Sequence, residues 1–364
     1  MKVVYCWTEI SGYMAACLRA LQAVKEVQLH VIHLQLTDQP LPYTSDLLTG
    51  ISNQFFSART ADIRSQIVEA VVSQKPDIIV LCGWFFRPYR FLPSCPNLRS
   101  SRFVLGMDTP WDGSVKQWLA RLWLARLLSQ MDKVIVAGER SAILARRLGV
   151  PNGKIMAGVY GCDFKAFRER GGRTLDDATE WPKRFVYLGR YAREKGLSVL
   201  VRAVGMYRQF VDDPWPLFCH GNGPEASLLQ AQVGIYDEGY VQPDRLPAVL
   251  GQHGVFIMPS LREPWGVALA EAAAAGLPLI CTDSCGASID IVRPYYNGVI
   301  VPSSDAMALA RAMQWMHENY ERLRVLGLRG RGFAHAYSAE AWAERWYACF
   351  KEILNSDRQK VARR

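Results

Sequence analysis

Short apolar runs alternate with longer segments of helical periodicity from one end of the chain to the other. Residues 2–6 (KVVYC), 27–34, 77–82 (DIIVLC), 102–105 and 131–137 have the length and content of buried strands, and helical patterns fill the spaces at about 13–25, 60–74 and 141–148. Lys75-Pro76 stops the second helix and Gly149-Val150-Pro151 the third. This alternation predicts a parallel, doubly wound α/β sheet, in which chemistry gathers in the loops that follow strands. Those loops are Trp7–Gly12, Gly83–Phe86 and Asp108–Gly113.

A polar, glycine-containing stretch at 168–182 reads as a linker, and a second alternation follows it. Its strands are expected at 184–188, 216–219, 255–258, 279–281 and 298–301, and its helices at 197–210, 224–232, 266–275 and 306–319. Two helices, 320–335 and 339–354, come last; Trp342, Trp346, Tyr347 and Phe350 recur in the latter at helical spacing and read as packing residues that bridge back onto the first domain. The organisation predicted is an N-terminal domain over 1–170, a second over 171–338, and a C-terminal helix with a basic tail over 339–364. Two α/β halves imply a cleft between them that holds ligands.

The most informative stretch is His253–Ile280. An apolar strand, Val255–Met258, runs through Pro259-Ser260 into a loop, then into an Ala- and Leu-rich helix closed by Gly276 and Pro278. Glu263 lies in the loop and Glu271 in the helix, spaced E-x7-E, and the amides of Gly266, Val267 and Ala268 between them lack intrahelical acceptors. They form a positive helix end able to receive an anion such as a diphosphate. Upstream, Gly189–Gly196 (GRYAREKG) puts Arg190 and Lys195 in one loop, two cations that suit a leaving diphosphate. A solvated basic loop has the same composition. Gly221, in His220-Gly221-Asn222-Gly223, marks another glycine turn, and Tyr240-Val241 stands where backbone groups could meet a nucleotide base.

Composition narrows the class. Of 364 residues, half are hydrophobic and 21% charged, as in an ordinary globular protein, and the length calls for two domains. No apolar run is long enough to span a membrane and no signal-peptide profile opens the chain, so a cytoplasmic protein is expected. Nine scattered cysteines without a C-x2-C pair read as buried reduced thiols. Residues 1–170 hold 21 Lys and Arg against 13 Asp and Glu, which leaves the net +9 of the chain almost entirely in its first half. That half should meet something anionic, a phospholipid surface or a phosphate-bearing acceptor; no nucleic-acid motif accompanies the charge. The segment 114–130 (SVKQWLARLWLARLLSQ) nearly encircles a helix with Trp and Leu and carries only Lys116, Arg121 and Arg126 as charges. It fits a buried or interdomain helix, and equally a basic interfacial helix in peripheral contact with a membrane.

Taken in order, GRYAREKG, GNGPE, GYV, PSLREPWGVALAEAAAAGLP, ICTDSCGASIDIV and YNGVIVPSSD resemble the nucleotide-sugar half of the retaining glycosyltransferases of the GT-B fold, family 4 (glycosyl transferases group 1), over about 184–320. Residues 131–167 share features with the same family, and Tyr160-Gly161-Cys162-Asp163 with Phe167 matches one of its patterns. The resemblance implies two Rossmann-like doubly wound domains facing a cleft, and a cytoplasmic enzyme of polysaccharide biosynthesis. It would transfer a sugar from a nucleotide-diphosphate donor of UDP or GDP type, without a metal or other cofactor, to a hydroxyl on a glycan, a lipid-linked or anionic acceptor, or a small molecule. It also implies that Arg190 and Lys195 hold the diphosphate, Glu271 the ribose hydroxyls, and Glu263 with the amides of Trp265, Gly266 and Val267 the donor sugar.

The first half departs from the family. No histidine follows strand 102–105; Asp108 stands in that region, as an acceptor- or sugar-contacting group or as a turn residue. The glycine-rich first loop is reduced to Ser11-Gly12, and Trp84 and Trp111 suit either stacking on an acceptor or packing. Asp290 stands where a sugar-site carboxylate often lies, and no D-x-D pair occurs. The competing reading is a GT-B protein that binds nucleotide sugar or carbohydrate without catalysis.

Overall fold

The computed structural model describes residues 1–35, 47–171 and 180–362. It contains two compact units, one formed by Met1–Gly161 with the C-terminal segment from Ala339, the other by Cys162–Ser338. Part of the 168–182 linker lies outside the described residues. The division falls ahead of that linker, because the helix Phe164–Arg170 packs on the helices Leu246–Gly251 and Val267–Ala274 of the second unit.

The first unit is built on a seven-stranded sheet of β1 (Lys2–Cys6), β2 (Gln28–Gln35), β3 (Ser52–Ser57), β4 (Ile78–Leu81), β5 (Arg102–Met107), β6 (Lys133–Val136) and β7 (Ile155–Ala157), in the order β3-β2-β1-β4-β5-β6-β7 with every pairing parallel. Strand β4 is buried along its whole length, as its unbroken IIVL run requires. Sequence reading missed β3, whose SNQFFS lacks a core face; it is an edge strand paired to β2, with His30 Nδ1 2.8 Å from Ser52 Oγ and His33 Nε2 3.2 Å from Asn53 Oδ1. The helix Ala339–Ala362 packs along the helix Gly12–Gln22. Its indoles seat it: Trp342 Nε1 donates to the Val159 carbonyl (2.8 Å) and Trp346 Nε1 to that of Gly158 (2.9 Å), and both rings lie against Tyr5 of β1.

The second unit carries β8 (Phe185–Leu188), β9 (Leu217–His220), β10 (Ile235–Gly239), β11 (Val255–Met258), β12 (Leu279–Thr282) and β13 (Gly298–Val301), all parallel in the order β10-β9-β8-β11-β12-β13. One core cluster includes Phe185, Leu200, Tyr207, Trp215 and Val255. The helix expected at 224–232 is instead a short 3-10 turn, Ala226–Leu229. Its bonds span three residues, from Ala226 N to the Gly223 carbonyl (3.2 Å) and from Leu228 N to that of Glu225 (3.0 Å), while Glu225 N is tied to the Tyr191 carbonyl (2.9 Å). All nine cysteines are buried.

Replacing Trp346 by Ala removes a fully buried indole and leaves the Gly158 carbonyl without its donor. The expected loss is about 3–5 kcal/mol of stability. Urea unfolding followed by far-ultraviolet circular dichroism reads it as a lower midpoint; an unchanged midpoint would contradict the seating of this helix.

Candidate active site

The strand order of the second unit reverses between β8 and β11, where the loops leaving neighbouring strands diverge and a crevice forms at their carboxyl ends. The β8 loop runs from Gly189 to Gly196 and the β11 loop from Pro259 to Gly266. They are stitched together by backbone, since the Glu194 carbonyl accepts from Leu261 N (2.9 Å) and Arg262 N (3.1 Å). Gly196 has φ +74° and its α-carbon lies against the Pro259 carbonyl, so a side chain fits neither the conformation nor the space.

From these loops Lys195 and Glu263 meet, Nζ to Oε2, at 2.5 Å, with side chains 19% and 10% exposed. Ser260 Oγ donates to the same carboxylate oxygen at 3.3 Å. The Ser260 carbonyl is in turn held by Thr282 Oγ1 (2.6 Å) and Ser284 Oγ (2.5 Å), and the Glu263 carbonyl accepts from Gly286 N (3.1 Å). The carboxylate is therefore fixed by an ammonium, a hydroxyl and a clamped backbone. Arg190 does not join them: its guanidinium is 71% exposed and bound to Glu194 at 2.9 Å.

Past Glu263 the chain turns at Gly266 (φ +101°), where a β-carbon would stand 2.8 Å from Cys285 Sγ and 3.0 Å from Met258 Sδ. The helix Val267–Ala274 begins there, and Val267 and Ala268 in its first turn keep partial exposure, leaving their amides able to receive an anion. Trp265 contributes its backbone alone, because its indole is buried, donating to Asp290 Oδ2 (3.2 Å) and packed on Tyr337. Asp290 thus supports Trp265. Glu271 is buried on the same helix. Burial, and then the neighbouring Asp163 carboxylate, push its carboxyl up to about 7.

Gly221 brings the β9 loop against the β8 loop: its N–H bonds the Gly239 carbonyl (2.9 Å), and its α-carbon abuts Gly189 O too closely for a side chain. Tyr191 Oη donates to Asp237 Oδ1 (2.7 Å), which also accepts from Gly239 N (3.0 Å), so the strand ends preceding Tyr240 and Val241 are locked. Both of those residues are half-buried.

Ser11, Gly12, Trp84, Asp108 and Trp111 lie in the first unit. Ser11 caps the helix Gly12–Gln22, accepting from Met14 N at 3.4 Å, and Trp84 is half-buried in the turn after β4. Asp108 follows β5; its carboxylate accepts from Tyr160 Oη at 2.8 Å and its carbonyl from Ser141 Oγ at 2.8 Å. Burial and Asp108 together raise the Tyr160 phenol well above its ordinary range, keeping it a donor. Trp111 meets Trp118 edge to face and lies under Arg147, whose Cζ is 4.5 Å from the ring centre. The Tyr191–Asp237 and Tyr160–Asp108 pairs were beyond sequence reasoning, because each joins residues distant in the chain without a motif to link them; Ser260 as the brace of Glu263 was missed although it lies three residues away in the same loop.

Residues 177–333 match the family model for glycosyl transferases group 1, and Arg190, Lys195, Gly221, Tyr240, Val241, Glu263, Trp265, Gly266, Val267 and Glu271 fall inside that span. The match lies within the second unit and does not extend into the first. Among curated relatives, it is 34% identical over 152 residues (42% of this chain, 36% of the relative) to the putative teichuronic acid biosynthesis glycosyltransferase TuaC of Bacillus subtilis. It is 26% identical over 219 residues (57% of this chain, 56% of the relative) to the D-rhamnosyltransferase WbpZ of Pseudomonas aeruginosa. The chain thus spans about half or less of the length of these relatives. Anabaena HepE, solved in complex with UDP, superposes with a TM-score of 0.75 at 13% identity, covering 97% of this chain and 100% of that one, and establishes the GT-B fold here.

The buried Glu271 of the matched region sets a pH dependence. Its folded-state carboxyl holds a proton up to about 7, against 4.5 ordinarily, so between those values the folded chain binds more protons than the unfolded one. Stability of the ligand-free protein should fall as pH rises through that window, by up to about 3 kcal/mol from this group. Glu271→Gln should flatten the fall in the thermal midpoint between pH 5 and pH 8; an equally steep fall in the variant would assign the loss elsewhere.

Proposed function

We propose that this chain is a retaining glycosyltransferase of family 4 that moves a sugar from a nucleotide-diphosphate donor, of UDP or GDP type, to a hydroxyl acceptor. The observation that carries this is the Lys195–Glu263 pair at 2.5 Å beside the free first turn of the helix Val267–Ala274. Side by side stand a cation and helix amides suited to phosphate oxygens, and an acceptor-only carboxylate suited to sugar hydroxyls. The group 1 match and the UDP bound by HepE support the donor class.

In this reading the donor diphosphate lies on the first-turn amides and Lys195, with Arg190 swinging from Glu194 to join it. Glu263 and the backbone at Trp265–Val267 take the sugar, and Glu271 takes the ribose hydroxyls, which relieve its isolation among buried groups. The bond from the anomeric carbon to the phosphate oxygen breaks while that carbon bonds the acceptor oxygen on the same face. The acceptor proton passes to the departing phosphate, and a nucleoside diphosphate leaves. No side chain acts as nucleophile; fixed charge stabilises the separating phosphate, without a metal. Asp108, with Tyr160 donating to it, is assigned to the acceptor side, together with the loop at Ser11-Gly12 and the Trp84 and Trp111 turns. In this reading the enzyme works in the cytoplasm and in polysaccharide assembly.

Lys195→Ala and Glu263→Gln should each lower turnover about a hundredfold or more. Glu263→Gln keeps the side-chain shape and can still accept from Ser260 but leaves Lys195 without its counter-charge, so its thermal midpoint should drop while its far-ultraviolet circular dichroism at the assay temperature stays that of the folded parent. Hydrolysis of UDP- and GDP-sugars in the absence of acceptor measures this, and near-parental rates in both variants would refute the assignment. A protein that binds donor without ever cleaving it would be a binding module.

A further inference from the structure

The helix Val115–Ser129 buries Ala120, Leu124, Leu127 and Leu128 against the first unit, and that face completes its contribution to the core. Its opposite face is also apolar. Val115 (73% exposed), Trp118 (58%), Leu119 (55%) and Leu122 (77%) stand at i, i+3, i+4 and i+7, and Trp123 (48%) widens the stripe. At ~100° per residue, Lys116 and Arg121 fall on its two flanks and Arg126 continues it one turn on. The helix contains no acidic residue. Arg147 lies over the rings of Trp111 and Trp118 (4.5 and 5.3 Å) and Arg90 near that of Trp123 (5.8 Å), so cations border the aromatic surface on several sides. Beside it opens a cleft of about 510 Å³ lined by Leu122, Leu148 and Val150 with the cations Arg121 and Lys154.

We infer that this face seats the protein on an anionic phospholipid surface, with Trp118, Leu119, Leu122 and Trp123 entering the headgroup boundary and Lys116, Arg121 and Arg126 meeting lipid phosphates. The order of groups across the helix, apolar stripe, flanking cations, core, is the order of polarity across a membrane interface. Tryptophan suits that zone because its ring is amphipathic. A second copy of the chain is a poorer occupant, since a two-fold pairing of this face sets the three helix cations against their own kind with no acid on the helix to answer them. The contact is one of lying on the surface: among the described residues no helix is long and apolar enough to cross a membrane.

Flotation of the full chain with vesicles tests this. It should float with phosphatidylcholine–phosphatidylglycerol vesicles, bind pure phosphatidylcholine vesicles at least tenfold more weakly, and show a blue shift of tryptophan emission on binding. The double variant Leu119→Ser/Leu122→Ser removes two exposed side chains without touching the crevice, and should lose about a hundredfold in vesicle affinity at an unchanged thermal midpoint. Arg121→Glu/Arg126→Glu should abolish the preference for anionic vesicles. Failure of the parent chain to float, or equal flotation of the serine double variant, overturns the proposal. So does a dimer by light scattering that the serine variant converts to monomer, because the face is then a self-interface. Donor hydrolysis by the serine variant stays at the parental rate in each case, which keeps this result separate from the assignment of the crevice.

Discussion

A salt bridge between two loops that leave adjacent strands in opposite topological directions is the constraint on which the second unit depends. Lys195 belongs to the segment that goes on to β9 and β10, Glu263 to the one that goes on to β12 and β13. Their contact at 2.5 Å exists only because Gly196 lets the Pro259 carbonyl press against it, and because the Glu194 carbonyl takes two amides from the facing loop. An ion pair this shielded is a weak device for stability, since both charges are stripped of water to make it. It is a good device for position. Removing charge or shape from either partner leaves a buried group unanswered, so the pair fixes the register of two loops and holds a cation and an anion side by side before any ligand arrives.

Glu271 shows the opposite strategy. It is buried without an opposite charge nearby, beside a second carboxylate, Asp163, which itself is spent on capping the helix Phe164–Arg170 through Ala166 N (3.1 Å). Such an arrangement costs stability in the empty protein and is retained where a ligand supplies the missing donors. The two glutamates of one E-x7-E stretch therefore do different work. One is held by an ammonium and a hydroxyl; the other has only burial and a like charge about it.

The architecture was legible in the sequence wherever a strand was apolar on both faces, as in IIVL, FVYL and VFIM. Such runs have no alternative in a parallel sheet. It failed at the edge, where β3 is polar and held by side-chain bonds to β2, and at 224–232, where composition favoured a helix but the chain forms only a single 3-10 turn. In the site, motif spacing singled out Lys195 and Glu263, which pair, and the helix start at Gly266 with Glu271 on the same helix. It could not tell that the Trp265 indole turns away to Asp290, that Arg190 rests on Glu194, or that Ser11 caps a helix, because each of these is decided by a neighbour remote in sequence. The aromatic face of Val115–Ser129 was ambiguous for a related reason: apolar residues all round a helix look alike until burial distinguishes the half in the core from the half in solvent.

The C-terminal helix has a bearing on how the chain acquires its structure during synthesis. The second unit is continuous from Cys162 to Ser338, whereas the first is assembled from both ends of the chain. Trp342 and Trp346 reach the Val159 and Gly158 carbonyls across more than 180 residues of sequence (separations 183 and 188), all of which leave the ribosome earlier than the indoles do. The second unit can therefore close on itself while the first waits, with the Tyr5 surface uncovered, for the last stretch to emerge. A chain that ended shortly before residue 339 would hold a finished second unit attached to an unfinished first, exposing the apolar ground that chaperones recognise.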